Sequence, residues 1–218
     1  MKKLIILVAT VIFLYADGVI GIPGGFKKIF PQIVSSYNNT YHKKLKAIYG
    51  PMGYLIYQAK IGSISLIMGE KNILQSHGFT NFTPIAKGHL IVLTTHNFNS
   101  LNELKKIKLI ALPNPKTTIY GKAAKEAFDK LGIKNRFLQV ALMPQGINYL
   151  LMGNCDGAVA DLTQAVFHKN LHYIEIPQQY YHPIILGVSV LNKNSEINDF
   201  VKFLKSKKIQ SILKSYGL

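Results

Sequence analysis

Apolar runs and amphipathic stretches alternate along this chain from residue 19 onward. Val19-Ile20-Gly21-Ile22, closed by Pro23-Gly24-Gly25, has the unbroken apolar pattern of a short buried strand. Phe26, Ile29, Phe30, Ile33, Val34 and Tyr37 then share one helical face, which predicts a helix over 26–37 that begins or kinks at Pro31. Strands are predicted at 45–49 and 63–68, with the tight turn Gly50-Pro51-Met52-Gly53 and a short helix over 54–60 between them. One or two further strands fall within 85–94.

Beyond Thr95 the alternation becomes clearer. A short helix over 101–106 precedes a strand at 109–111 and the loop 113–118. Ala123, Ala124, Ala127, Phe128 and Leu131 line one face of a helix over 120–131, and Gly132 is its stop. A strand at 137–141, a helix over 145–152 ended by Gly153, a strand at 157–160 and a short helix over 163–167 follow. Strands at 173–176 and 184–190 precede a helical tail over 196–216, broken near Ser206. Strands alternating with helices predict an α/β protein with mostly parallel sheets covered on both faces. The strands outnumber what one sheet of this length holds, so two lobes are expected: residues 17–94 with 184–218, and residues 95–183. The chain is expected to cross between them near 93–95 and 182–184.

The N-terminus stands apart. Lys2-Lys3 precedes an apolar run over 4–15 and then Ala16, the pattern of a secretory signal with cleavage after Ala16. The run is shorter than the roughly 20 residues that span a bilayer, and no later stretch is long enough, so no membrane span is expected after cleavage. The chain's one cysteine, Cys155, permits no internal disulfide and reads as a small inert residue. Net charge is +16, a field that attracts anions and anionic surfaces. Arg136 is the single arginine, whereas base readout favours arginine, so nucleic acid is not the expected partner. A lysine-rich coding bias accounts for the charge equally well.

Four small-residue loops fall where ligands gather in an open parallel sheet, beyond the carboxyl ends of strands. They are Pro23-Gly24-Gly25, Gly50-Pro51-Met52-Gly53, Lys116-Thr117-Thr118 and Gln145-Gly146-Ile147, each before a predicted helix. Helix N-termini present unpaired N–H groups and partial positive charge, so four of them around one cleft suit an oxyanion. Thr117 and Thr118 add hydroxyl donors; taken singly, each loop also reads as an ordinary turn or cap. Catalytic patterns are weak. The seven histidines show no metal-ligand spacing, and His168 and His172 sit around a loop. There is no G-x-S-x-G, P-loop or C-x-x-C. Asp161, after the strand at 157–160, reads as a helix cap or hinge contact, or as a group turned into the cleft; it or a histidine in the cleft is the candidate for an exported enzyme.

Several stretches together resemble the periplasmic molybdate-binding proteins. Asn114-Pro115-Lys116-Thr117-Thr118-Ile119-Tyr120-Gly121 is similar to that family's P-x-T-A-P-Y-G-like loop. Asp156-Gly157-Ala158-Val159-Ala160, the stretch 180–190 and the ending 200–217 also match in order and spacing. The resemblance covers about 90–218 well and the earlier half in its order of elements only. It implies a two-lobed periplasmic-binding-protein fold without enzyme activity or cofactor. It also implies a monomer in the periplasm that passes a tetrahedral oxyanion of molybdenum or tungsten to an ABC permease. The family holds its ligand with serine hydroxyls of the first lobe and backbone N–H groups of the second. The second-lobe positions are intact in type: Thr118 in the first loop, Ile147 at the helix start, and the Ala160–Asp161 region, where the family often has Tyr; Thr117, Tyr120 and Gly146 beside them are further expected ligand contacts. The first-lobe positions are not: Gly24-Gly25 and Gly50-Pro51-Met52-Gly53 stand where serines are expected. Each lost donor to a desolvated charge removes roughly 1.5–3 kcal/mol. Backbone N–H groups of Gly25, Met52 and Gly53 compensate, or the ligand has changed.

Overall fold

Ten strands form two five-stranded sheets in a computed structural model that describes residues 18–218 except 99, 135 and 193. The predicted signal at 1–16 lies outside the described residues. The first sheet contains β1 (Val19–Pro23), β2 (Lys46–Gly50), β3 (Leu66–Glu70), β4 (Phe82–Gly88) and β10 (Ile184–Val190), in the order β2-β1-β3-β10-β4. The second contains β5 (Leu90–Thr94), β6 (Leu109–Pro113), β7 (Arg136–Val140), β8 (Gly157–Asp161) and β9 (His172–Glu175), in the order β7-β6-β8-β5-β9.

The sheets are mixed, not mostly parallel as the sequence pattern suggested. β1 runs parallel to β2 and β3, and β6 to β7 and β8. β10 is antiparallel to β3 and β4, and β5 to β8 and β9. The antiparallel pairings all involve β5 or β10, the strands flanking the crossings between lobes. A strand that has just crossed enters its new sheet against the direction of the β-α-β units already there.

Among the described residues eight α-helices flank the sheets: α1 (Phe30–Tyr41), α2 (Met52–Lys60), α3 (Lys71–Ser76), α4 (Ile119–Leu131), α5 (Met143–Leu151), α6 (Leu162–Phe167), α7 (Ser195–Leu204) and α8 (Lys207–Ser215). Both faces of each sheet are covered, which explains the unbroken apolar runs. In β5, Leu90 and Val92 join the core under α4 with Ala124 and Phe128. Ile91 and Leu93 point the other way, toward Ile147 and Leu150 of α5. In the first lobe, Ile20 and Ile22 pack with Phe30, Ile33, Tyr37, Phe200 and Leu213 of α1, α7 and α8. Leu55, Ile56, Ile64, Ile67 and Leu74 fill the opposite face under α2 and α3. Burial of this kind contributes about 25 cal/mol for each Å² of apolar surface.

Pro31 sets the start of α1 at Phe30, because proline suits the first helical turn, and the expected helical start at 26 is instead a 3-10 turn over Gly24–Phe26. α3 was not expected: Glu70 caps it by accepting a hydrogen bond from Ile73 N–H at 3.0 Å. The tail is two helices, with Ser206 capping the second.

The first crossing lies at His89, since residues 90–94, expected in the first lobe, form β5 of the second sheet. The chain returns between β9 and β10. Leu90 N–H donates to Tyr181 Oη at 3.1 Å, which ties the two crossings together. Each crossing also carries a histidine against a glutamate: His89 Nδ1 lies 3.0 Å from Glu175, and His182 Nδ1 lies 2.8 Å from Glu126.

Candidate functional site

The carboxyl ends of β1, β2 and β3 in one lobe face the ends of β6 and β8 in the other. Between them is an inner chamber of about 260 Å³, lined on the first-lobe side by Gly25, Phe26, Met52 and Glu70, and on the second by Thr117, Thr118, Tyr120 and Asp161. It continues into a wider outer chamber of about 650 Å³, where Gly53, Asn72, His77, Lys116, Lys122 and His182 are exposed.

The loop 113–118 owes its shape to its own hydrogen bonds. Asn114 O accepts the N–H groups of Thr117 at 3.2 Å and Thr118 at 2.9 Å. Thr118 Oγ1 donates to Asn114 O at 2.8 Å and accepts from Gly121 N–H at 3.1 Å, so it caps α4. Gly121 is required there. A β-carbon on it would overlap Pro113 O and Thr118 Oγ1 and lie 2.8 Å from Asn114 O. Thr118 therefore acts as a cap: its hydroxyl proton is already given to Asn114, contrary to the expectation that it donates to a ligand. Thr117 is exposed at the chamber edge.

Six of the expected site residues, Gly25, Met52, Thr117, Thr118, Tyr120 and Asp161, line the inner chamber. Gly53 lines the outer one. Gly24 lies beside it in the 3-10 turn without lining either chamber. Gly146 and Ile147 do not line the chambers. α5 begins at Met143, so these two fall in its second turn and are buried against the sheet; a β-carbon on Gly146 would lie 3.1 Å from Ala111 Cβ. Tyr120 is packed at the hinge, where a β-carbon on Gly88 would overlap its hydroxyl. Burial pushes its phenol far up, and nearby Asp161 and Tyr181 add to this, so it stays neutral.

First-turn N–H groups of α2 and α4 have no carbonyl partner within their own helices, and both helices begin at the chamber. Met52, Gly53, Ile119 and Tyr120 carry these groups. Asp161 caps α6 and accepts from Gln164 N–H at 3.2 Å. Burial pushes its carboxyl up, against hydrogen bonds from Thr163 and Gln164 that favour the ionised form. At the outer rim, burial works to raise the Glu126 carboxyl. The His182 main-chain and ring hydrogen bonds and the Lys122 charge outweigh it, so the group is held below the usual range.

Glu70 was missed in the sequence. It ends β3, is 6% exposed and lines both chambers. The available signal was an acidic residue two positions after the apolar run Leu66-Ile67-Met68, past Gly69, at the same strand end as the glycine loops. Cys155 is buried, and burial pushes its thiol up, as suits an inert residue. Among the described residues no group of three histidine, cysteine, aspartate or glutamate side chains is placed to hold a metal ion. No helix among them is long and apolar enough to cross a membrane.

Comparison with known proteins adds family and fold. The family described as bacterial extracellular solute-binding protein matches residues 19–218. The molybdate-binding protein ModA of Azotobacter vinelandii is 29% identical over 126 residues, 52% of this chain and 50% of that protein. The match thus spans about half the length of that curated relative. Among solved structures, the substrate-binding domain assigned to a molybdenum ABC transporter of Clostridium difficile superposes with a TM-score of 0.80 at 20% identity, over 92% of this chain and 96% of that one. PEB3, a Campylobacter jejuni protein solved with L-phospholactate bound, superposes with a TM-score of 0.72 at 15% identity, over 92% and 98%. These two likenesses establish a shared fold.

Proposed function

The chain belongs to the bacterial extracellular solute-binding proteins, and from that premise we propose that it captures a small oxyanion between its lobes, of the molybdate or tungstate kind, for an ABC permease. The observation that carries this reading is the convergence of the α2 and α4 N-termini, one from each lobe, on the inner chamber. Backbone N–H groups held by helices are donors already in place for an anion and need no charged side chain. In this reading the N-terminal segment 1–16 is a signal peptide, and the protein works in the periplasm as a monomer without chemistry of its own.

A second reading keeps the fold and changes the ligand. Two features favour it: the absence of a first-lobe hydroxyl among the residues lining the inner chamber, and the commitment of the Thr118 hydroxyl to Asn114. The L-phospholactate bound to PEB3 illustrates an organic anion in this fold.

Thermal unfolding and titration calorimetry with molybdate, tungstate, sulfate, phosphate and small organic acids separate the readings. Stabilisation by molybdate or tungstate supports the first, and stabilisation by organic acids alone supports the second. If no anion in the panel stabilises the protein at millimolar concentration, the oxyanion reading is wrong.

A further inference from the structure

The charge of the inner chamber is opposite to that of the chain. Against a net charge of +16, the described residues lining this chamber include no lysine, arginine or histidine. They include two carboxylates, Glu70 from the first lobe and Asp161 from the second. The basic groups Lys116, Lys122, His77 and His182 line the outer chamber, together with Glu126 and Glu70.

The two carboxylates are not equivalent. Asp161 is engaged by the N-terminus of α6 through Gln164 and Thr163. Glu70 is less used. Its Oε2 accepts from Ile73 N–H at 3.0 Å and its Oε1 from Asn72 Nδ2 at 3.1 Å. A carboxylate has about four acceptor sites over its two oxygens, so Glu70 keeps acceptor capacity on both. A buried acceptor beside a ligand chamber is satisfied when the ligand brings a donor, and it repels a ligand that brings another lone pair.

We infer that the ligand of this cleft is an oxyanion carrying its own hydrogen-bond donor, a protonated phosphoryl-type oxygen or a hydroxyl beside an acid group, and that Glu70 is the acceptor that selects it. The inference rests on the reading above that a small anion is held between the lobes, and it favours the changed-ligand form of that reading over molybdate or tungstate. Molybdate, tungstate and sulfate are bare acceptors at neutral pH and have no hydrogen to give Glu70. A donor-bearing oxyanion satisfies both sides of the chamber: its anionic oxygens meet the first-turn N–H groups of α2 and α4, and its O–H meets Glu70. The chain's net charge of +16 draws such an ion inward, and the acceptor at the end of β3 sorts what arrives.

The test is calorimetry at pH 7 on the full chain with two sets of probes. One set is molybdate, tungstate and sulfate; the other is hydrogen phosphate, methylphosphonate and glycolate. At least one donor-bearing probe is expected to bind roughly tenfold or more tighter than any bare dianion, the ratio that one charge-assisted hydrogen bond supplies. In Glu70→Gln the amide offers both a donor and an acceptor, so the ratio is expected to shrink toward one. Gln keeps an oxygen for Ile73 N–H, and a thermal melt checks that the variant folds. If it does not fold, the wild-type ratio alone decides. Bare dianions binding as tightly as the donor-bearing set, or a ratio unmoved by Glu70→Gln, overturns the inference and leaves the oxyanion reading standing. Tighter binding of glycine or taurine than of every oxyanion also overturns it, because the donor is then an ammonium group. Failure of all probes in both sets removes the oxyanion reading, and this inference with it.

Discussion

Adding a single methyl group to α4 or to α2 should have opposite consequences. In Gly121→Ala the new β-carbon overlaps Pro113 O and Thr118 Oγ1 and lies 2.8 Å from Asn114 O. Two of these are backbone carbonyls at the end of β6 and in the capping loop, so neither can rotate away. Overpacking against fixed atoms costs about 1–3 kcal/mol. Displacing Thr118 also weakens the cap on Gly121 N–H, worth about 1 kcal/mol. Against this stands the ordinary gain of about 0.5–1 kcal/mol for alanine over glycine in a helix. The net expectation is a loss of about 2–3 kcal/mol. For a chain of this length that lowers the melting temperature by about 5–10 °C. Gly53, in the first turn of α2, has no atom within 4 Å of a built β-carbon. Gly53→Ala should therefore match the wild type or gain up to ~1 kcal/mol. Urea unfolding followed by circular dichroism reads both variants. A Gly121→Ala protein within 0.5 kcal/mol of wild type, or a Gly53→Ala protein that falls as far, would refute the view that the loop 113–118 is pinned by backbone contact.

Other outcomes follow from groups outside the loop. Burial, with the Glu196 and Asp199 charges, pushes the Tyr37 phenol up to about 12. Its folded pKa lies above the unfolded value, so its contribution is complete below pH ~10 and is lost as pH rises from there through 12, in total about 2–3 kcal/mol. Tyr37→Phe should lose about 1 kcal/mol at pH 7 with the hydrogen bond to Glu196 O; because the wild type then loses about 2–3 kcal/mol through pH 12, the two stability curves should cross above pH ~10 and leave the phenylalanine variant the more stable. Asp161→Asn keeps a good helix cap while removing a carboxylate whose pKa burial raises, so the variant should be at least as stable as wild type at pH 7. That advantage should fade as pH falls and Asp161 takes up its proton; a clear destabilisation at neutral pH argues against the buried-charge account. Phe128→Ala empties the core under α4 and should cost about 3–5 kcal/mol by chemical denaturation.

The second lobe was more legible than the first. Helix α4 declares itself through Ala123, Ala124, Ala127 and Phe128 on one face, and Gly132 ends it in the left-handed conformation at φ 63°. β5 was visible as an apolar run, but such a run does not say which sheet it joins, so the first crossing was set several residues late. The antiparallel pairings were hidden for the same reason: strand direction depends on partners far away in sequence. α3 is six residues long, too short for a helical period to stand out. Glu70 and the Thr118 hydroxyl show the limit for the site. Residue type gave the chemistry each could offer, and only tertiary placement showed that Thr118 spends its proton on Asn114 while Glu70 retains acceptor capacity. Gly146 and Ile147 were displaced by a helix start two residues earlier than expected, enough to turn both from the cleft to the core.

The position of β10 has a consequence for how the molecule assembles. β4 is joined to the rest of its sheet only through β10, which sits between it and β3. Residues 90–176, by contrast, hold every strand of the second sheet in one uninterrupted stretch. As the chain emerges from a ribosome or a translocation pore, the second lobe has all its strands in hand long before the first. The first lobe must leave a gap in its sheet until residues 184–190 arrive, and closing it brings together positions more than a hundred residues apart, the slow kind of contact to form. Folding is therefore expected to proceed from the middle of the chain outward, and a chain stopped before β10 has an exposed strand edge in place of a finished lobe.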